Sequence, residues 1–295
     1  MTLGRRDFLK GFAGVAGLTF LQPSGMVRPT VTSTDSGSQS DVALLVDVSK
    51  CIGCWWCYAA CKNYNNLPET IKPDPEDPPK LSGDCWTTLF ALQKGDGWSF
   101  RKQACMHCTD AACVEVCPSG ALRYNELGFV QYETEKCIGC GYCVEYCPFN
   151  VPRLESNRIT GIGLMHKCTF CMERVTSHQQ PACADACPTG AIKFGRRLEL
   201  VQEGKQRVAE LSKISPQACL YGEHEMGGLH VLYVLDDCPS VYGLPEDPQF
   251  PVTAIIQKDV FRPLTWIVWS VVAAGLALNV LVARARQVRK KKEVH

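Results

Sequence analysis

Sixteen of the nineteen cysteines in this 295-residue chain fall into four groups of four, and no other feature limits its fold as much. The groups are Cys51, Cys54, Cys57 and Cys61; Cys105, Cys108, Cys113 and Cys117; Cys137, Cys140, Cys143 and Cys147; and Cys168, Cys171, Cys183 and Cys187. Each opens with Cys-x-x-Cys and closes with two cysteines four apart. One such stretch fits a zinc knuckle, a disulfide knot or an iron–sulfur site. In a short secreted chain the count alone would suggest a disulfide framework, but this chain is long and the spacing decides.

Zinc sites commonly use two ligand pairs separated by a longer loop, often with His. Cys51-x-x-Cys54-x-x-Cys57 instead puts three thiols on one tight loop, able to wrap one corner of a cubane. The fourth cysteine follows after about one helical turn, a rise of ~6 Å, and so is carried away from its own loop. That is the two-cluster ferredoxin arrangement, in which the fourth Cys serves the other cluster. Pro118, Pro148 and Pro188 follow the fourth cysteine as that pattern expects, and Lys62 stands in the equivalent place after Cys61. Gly53 and Gly139, inside Cys-Ile-Gly-Cys, allow turn geometry and close amide approach. His107 is expected beside its cluster rather than as a ligand, because its group already supplies four thiols. Trp55 and Trp56 are expected to cover a cluster or to meet a partner, and Cys85, Cys219 and Cys238 to be structural thiols.

The pattern repeats internally. GFVQYETEKCIGCGYC echoes VALLVDVSKCIGCWWC, and CPSGALRY echoes CPTGAIKF. ALRY and FVQY, separated by a turn at Asn125 to Gly128, predict a hairpin. Groups two and three lie closest and are expected to form one module, with groups one and four forming an outer module around it. The crossed rule then assigns Cys51, Cys54, Cys57 and Cys187 to cluster 1, and Cys105, Cys108, Cys113 and Cys147 to cluster 2. Cluster 3 takes Cys137, Cys140, Cys143 and Cys117; cluster 4 takes Cys168, Cys171, Cys183 and Cys61. The competing assignment pairs group one with two and three with four.

The fold class expected is α+β: two ferredoxin-like bicluster modules, one inserted in the other, plus a C-terminal single transmembrane helix. The outer module covers 42–97 and 161–200, the inner 98–160, and 201–262 is a C-terminal extension that contacts partners. Residues 1–33 carry Arg5 and Arg6 ahead of Phe8, Leu9 and Lys10, a twin-arginine export pattern with Gly4 where Ser or Thr is usual. Leu264 to Val282 is free of charge and spans about 28 Å as a helix, near the bilayer's apolar thickness. Trp266 and Trp269 open this span. Arg284, Arg286, Arg289, Lys290, Lys291 and Lys292 follow it, in the 283–295 tail. Positive residues stay inside, so the tail is expected in the cytoplasm and the cysteine-rich body on the exported side of the cell membrane. The two ends agree, since free thiols exported unfolded into an oxidising compartment would form disulfides. The net charge of +1 lends no support to nucleic-acid binding.

LLVDVSKCIGC, CMHCTDAACVEVCPSGAL, CIGCGYCVEYCPFNVPRL, KCTFCMERVTSHQQPACADACPTGAIKFG and GGLHVLYVLDDCPSVYGLPEDP together resemble the four-cluster iron–sulfur (beta) subunits of membrane-bound molybdopterin oxidoreductases. Within that family the nearest resemblance is to respiratory formate dehydrogenase. The resemblance implies four [4Fe-4S] clusters and no catalytic residue. It implies electron transfer between a large catalytic subunit and a membrane cytochrome b or quinone-reactive subunit. A subunit with its own twin-arginine signal is more like the iron–sulfur subunit of a periplasmic uptake hydrogenase. The short loop of eleven residues between Cys171 and Cys183 is of the formate dehydrogenase type. A zinc-binding scaffold and an oxidoreductase catalytic by itself are the readings from other classes.

Overall fold

The computed structural model describes residues 40–68, 73–156, 163–256 and 260–293; the expected twin-arginine region at 1–33 lies outside the described residues. The first element among the described residues is β1 (Val42–Asp47), and α1 (Trp56–Tyr64) follows the first cysteine loop. A hairpin of β2 (Thr88–Lys94) and β3 (Gly97–Gln103) leads to α2 (Ala112–Glu115). Next come β4 (Leu122–Tyr124) and β5 (Val130–Tyr132), which pair antiparallel as the hairpin expected from ALRY and FVQY. After α3 (Tyr142–Glu145), a second small hairpin joins β6 (Arg153–Ser156) to β7 (Gly163–His166). Then α4 (Met172–Thr176), α5 (Ala182–Asp185) and β8 (Ile192–Arg196) lead into the longer α6 (Arg197–Leu211). The chain continues through β9 (Cys219–Tyr221), β10 (Val231–Leu235) and α7 (Val252–Ile256). It finishes with α8 (Arg262–Glu293).

The largest sheet has the order β8-β1-β10-β9. β1 and β10 run parallel, with Leu45 opposite Leu232, while β8 and β9 lie antiparallel at the edges. Both central strands are covered on both faces, which is why they read as unbroken apolar runs, VALLV and VLYVL, and not as alternating ones. On one face Ala43, Leu45, Leu232 and Val234 meet Leu200 and Val201 of α6. Leu44, Val46, Val231, Tyr233 and Leu235 point the other way, into a core shared with Trp55, Cys57, Phe100, Phe129 and Phe170. The first, second and fourth cysteine loops therefore share the core on one face of this sheet, while the third packs in a separate cluster with Leu122, Val130 and Met165.

Two boundaries expected from sequence fall differently in space. The 201–262 extension supplies β10, a fully buried strand in the middle of the sheet, and so is part of the scaffold. The division at 97/98 falls inside the β2–β3 hairpin, whose register runs from Thr88 opposite Gln103 to Lys94 opposite Gly97. Hydrophobic patterning marks strands, but it does not say which distant strand a fully buried run will join.

Among the described residues one helix is long and apolar enough to cross a membrane: Leu264–Arg286 within α8, with mean hydropathy 2.1 and none of its most apolar stretch buried against the protein. Trp266 and Trp269 are exposed at its start. It fits a single-pass anchor.

Leu232 has no solvent exposure. Leu232→Ala is expected to cost about 2–5 kcal/mol, the range for emptying a packed leucine site. The full-length variant should show an earlier urea midpoint in far-UV circular dichroism.

Candidate metal centres

The four Cys-x-x-Cys loops share one backbone device. The residue before the second cysteine is left-handed in every loop: Gly53 (φ 65°), His107 (φ 49°), Gly139 (φ 67°) and Phe170 (φ 61°). This turn directs successive cysteines toward a common centre. Glycine takes the conformation freely, whereas His107 and Phe170 do so at a cost of about 1–2 kcal/mol. Packing offsets it. The His107 and Phe170 rings meet edge to face at 4.8 Å, and Phe129 stacks on Phe170 at 4.9 Å, all three buried. The sequence marked the turn only where glycine stood; the aromatic versions carry no such signal.

Each third cysteine lies in a short helix: Cys57 in α1, Cys113 in α2, Cys143 in α3 and Cys183 in α5. The fourth follows one turn later. Strand pairing then brings distant cysteines together. β8, just after Cys187, pairs with β1, just before Cys51, and the Asp47 amide donates to the Ala191 carbonyl at 2.8 Å. β4, just after Cys117, pairs with β5, just before Cys137, and the Glu133 amide donates to the Ala121 carbonyl at the same 2.8 Å. In both cases the bonded residues stand four places from their cysteines. One cavity is consequently lined by Cys51, Cys54, Cys57 and Cys187, with Trp55, Leu89 and Lys102. A second is lined by Cys117, Cys137, Cys140 and Cys143, with Tyr132 and Met165.

Neighbouring charges relate the remaining eight cysteines. Cys108 and Cys113 lie within electrostatic reach of Cys105 and Cys147. Cys61 lies within reach of Cys168 and Cys183, and Cys171 of the same two. Across the sets, Cys57 lies within electrostatic reach of Cys183, Cys105 of Cys168, and Cys113 of Cys143. Amides point at several sulfurs, including Phe170 N–H to Cys168 Sγ at 3.4 Å, while the Ser119 and Thr189 hydroxyls stand beside Cys117 and Cys187 at 3.7 and 3.8 Å. Among the described residues no three His, Cys, Asp or Glu side chains close tightly enough to hold a single metal ion.

Burial sets the acid–base character of these thiols. Desolvation pushes Cys57, Cys143 and Cys171 up to about 12, with neighbouring cysteines adding to the rise. It also raises Cys61, Cys105, Cys108, Cys113, Cys147 and Cys183. A free thiol with a raised value is neutral at pH 7, so thiolate charge here needs positive partners. The interior has them. Lys62, Arg101, Lys102, Lys167 and Arg197 are buried, against the single buried carboxylate of Asp47 among the described residues. Buried cations are costly unless compensated. An anionic [4Fe-4S] group carrying about −2 with four thiolates fits these donor sets and this charge.

Other singled-out residues take definite places. Trp55 is buried beside Cys57, packing edge-on to Tyr58 at 6.0 Å, while Trp56 is exposed. Lys62, standing where the pattern has proline, is buried and donates at 2.7 Å to the Pro68 and Asp84 carbonyls, tying two loops together. Burial holds His107 well below the ordinary histidine value, with the Lys167 charge adding to the effect. Cys85, Cys219 and Cys238 stand outside the four sets; Cys238 Sγ donates to Gln217 Oε1 at 2.7 Å.

A Cβ on Gly139 would land on the Gly163 carbonyl oxygen, and one on Gly53 would land on the Phe100 ring. Gly120 has a similar φ of 65° and open space. Gly139→Ala should therefore lose the most iron per chain, Gly53→Ala less because a ring can turn aside, and Gly120→Ala little beyond a strain of about 1–2 kcal/mol. Iron analysis and absorbance near 400 nm check the ranking.

Comparison with known proteins agrees with this chemistry. Two family models described as 4Fe-4S dicluster domain match residues 50–121 and 97–197. The formate dehydrogenase iron–sulfur subunit of Haemophilus influenzae is 41% identical over 253 residues, covering 81% of this chain and 78% of that protein. The nitrate-inducible formate dehydrogenase iron–sulfur subunit of Escherichia coli K12 is 40% identical over 255 residues, covering 82% and 85%. The hydrogenase-2 operon protein HybA of Escherichia coli O157:H7 is more distant, 33% identical over 270 residues, covering 78% and 80%. The resemblance noted in the sequence stands, and the formate dehydrogenase reading is favoured over the hydrogenase one. With two dicluster domains, converging thiol sets and these relatives, the chain belongs to the family of formate dehydrogenase iron–sulfur subunits, which transfer electrons and are not the catalytic subunits.

Proposed function

We propose that this chain carries single electrons through four [4Fe-4S] clusters, between an exported, formate-oxidising molybdopterin subunit and a membrane cytochrome b or quinone-reactive partner. The observation that carries the reading is the pair of cavities lined by Cys51, Cys54, Cys57 and Cys187 and by Cys117, Cys137, Cys140 and Cys143. The ligands are Cys51, Cys54, Cys57 and Cys187; Cys105, Cys108, Cys113 and Cys147; Cys137, Cys140, Cys143 and Cys117; and Cys168, Cys171, Cys183 and Cys61. The β1–β8 pairing, which closes across everything between groups one and four, supports an inner module inserted into an outer one.

Bound clusters supply reversible one-electron chemistry; the protein supplies order, insulation and access. The cross-set electrostatic neighbours support the order cluster 1, cluster 4, cluster 2, cluster 3. All four cysteines of the cluster 4 set are buried, and those of cluster 2 are buried or half-buried. Each end set has one exposed cysteine, Cys54 and Cys140, beside an exposed isoleucine, Ile52 and Ile138. Those two loops are the docking faces where electrons enter and leave. α8 is the anchor. The basic residues that follow its apolar stretch favour a cytoplasmic C-terminus, leaving the cluster-bearing body on the exported side. The twin-arginine pattern at Arg5 and Arg6 supports export after the thiols have taken up metal.

Iron and acid-labile sulfide should each reach about sixteen per chain, since four cubanes hold four of each. A count of eight or fewer sinks the assignment. Cys54→Ser and Cys187→Ser should then alter one and the same cluster signal in low-temperature EPR, and Cys61→Ser and Cys171→Ser a different one. If Cys54→Ser and Cys61→Ser instead shared a signal, the crossed sets would be wrong.

A further inference from the structure

Five cations lie buried in the described residues, and four of them are hydrogen-bonded to the backbone. Lys62 donates to the Pro68 and Asp84 carbonyls, and Lys167 to those of Val130 and Cys168. Arg101 donates to the Tyr242 and Lys102 carbonyls, and Arg197 to those of Leu229, Gly222 and Glu223. Lys102 is the exception. Its side chain is 1% exposed, and its Nζ has no hydrogen-bond partner among the described residues. A lysine ammonium has three donors, and leaving them unmade in a dry interior is among the costliest arrangements a protein can hold.

The surroundings say what takes those donors. Lys102 lines the cavity formed by Cys51, Cys54, Cys57 and Cys187. It also lies within electrostatic reach of Cys168, Cys183, Cys61 and Cys171, the whole cluster 4 set, and least of all of Cys105 in the cluster 2 set. Its backbone is held firmly: it sits in β3 opposite Leu89, and its carbonyl accepts from the Tyr233 hydroxyl at 3.0 Å and from Arg101 Nη1 at 3.2 Å. The strand thus presents one cation between two thiol sets.

We propose that Lys102 is the shared cation of the outer cluster pair, its ammonium donating to the sulfurs of clusters 1 and 4 and holding both reduction potentials up. The proposal rests on the four-cluster reading above. Hydrogen bonds to sulfur and local positive charge both favour the more reduced, more negative state of a cluster. One charge between two clusters raises both together, which keeps the step between them small. As one electron leaves one cluster and enters its neighbour, the ammonium keeps its protons and remains within reach of whichever holds the extra charge. Lys102 is a positioning and tuning residue; it touches no substrate.

The test uses the full-length chain purified with its clusters, carrying Lys102→Met, Lys102→Gln or Lys102→Arg, with iron counted before an EPR-monitored redox titration. With about sixteen irons present, the two neutral variants should move two of the four one-electron waves to lower potential. The expected size is at least a tenfold change in the reduced-to-oxidised ratio, ~59 mV for one electron. Lys102→Arg should stay within threefold of the parent. Neutral variants with full iron and four unmoved waves overturn the proposal, as does an equal shift of all four. Should the neutral variants fail to assemble, pulsed EPR of the parent protein grown with lysine labelled with ¹⁵N at Nζ decides. A ¹⁵N coupling on the outer pair, lost in Lys102→Arg, supports the assignment, and no coupling overturns it. A parent chain with eight irons or fewer removes the four-cluster reading itself, an outcome distinct from full iron with unmoved potentials.

Discussion

Two short antiparallel ladders, β1 with β8 and β4 with β5, are the joints on which the rest of this structure depends. Each delivers a cysteine from the end of one group to the start of another, through an amide-to-carbonyl bond placed four residues from both. The closure costs less than its span suggests, because loop entropy grows only with the logarithm of length. Cys51 and Cys187 can therefore be neighbours with the second and third cysteine groups between them in sequence. The helices that carry the third cysteines gain from the same joints. α2, α3 and α5 have four residues each, far below what holds a helix in isolation, so packing and ligation must keep them folded.

The second organising term is charge. The chain as a polypeptide is nearly neutral, at +1, yet its interior is cationic. Among the described residues Lys62, Arg101, Lys102, Lys167 and Arg197 are buried against one buried carboxylate, and that carboxylate, Asp47, is itself paired with Arg207 at 2.9 Å. An apolar core has no use for such an excess. Anionic clusters do, since cations beside them reduce the cost of holding negative charge away from water. Backbone carbonyls hold four of the five, which leaves Lys102 as the one whose ammonium has no protein partner among the described residues.

Burial also sorts the four sets by role. The middle of the proposed wire is screened by the His107, Phe129 and Phe170 rings, while its ends open at Cys54 and Cys140 beside Ile52 and Ile138. Insulation and access are thus both packing properties of the same loop type, changed by whether the left-handed residue is a glycine or a large aromatic ring. The apolar helix α8 is a separate device, carrying no cysteine and unburied along its most apolar stretch.

The grouping of the cysteines, the hairpin between Leu122 and Tyr132 and the apolar C-terminal helix were legible in the sequence by itself. Each is a local property: spacing along the chain, turn chemistry, or an unbroken run of uncharged residues. The left-handed turns at Gly53 and Gly139 were legible for the same reason, because glycine advertises them. The same turns at His107 and Phe170 were not, since their strain is offset by ring packing between segments far apart in sequence. Nor could pattern alone put β10 beside β1, because a strand buried on both faces carries no mark of its neighbour. The place of Lys102 was decided only in three dimensions. In sequence it is one lysine among several basic residues on a hairpin, and only the convergence of β3 with distant cysteine loops leaves its ammonium buried within reach of two thiol sets.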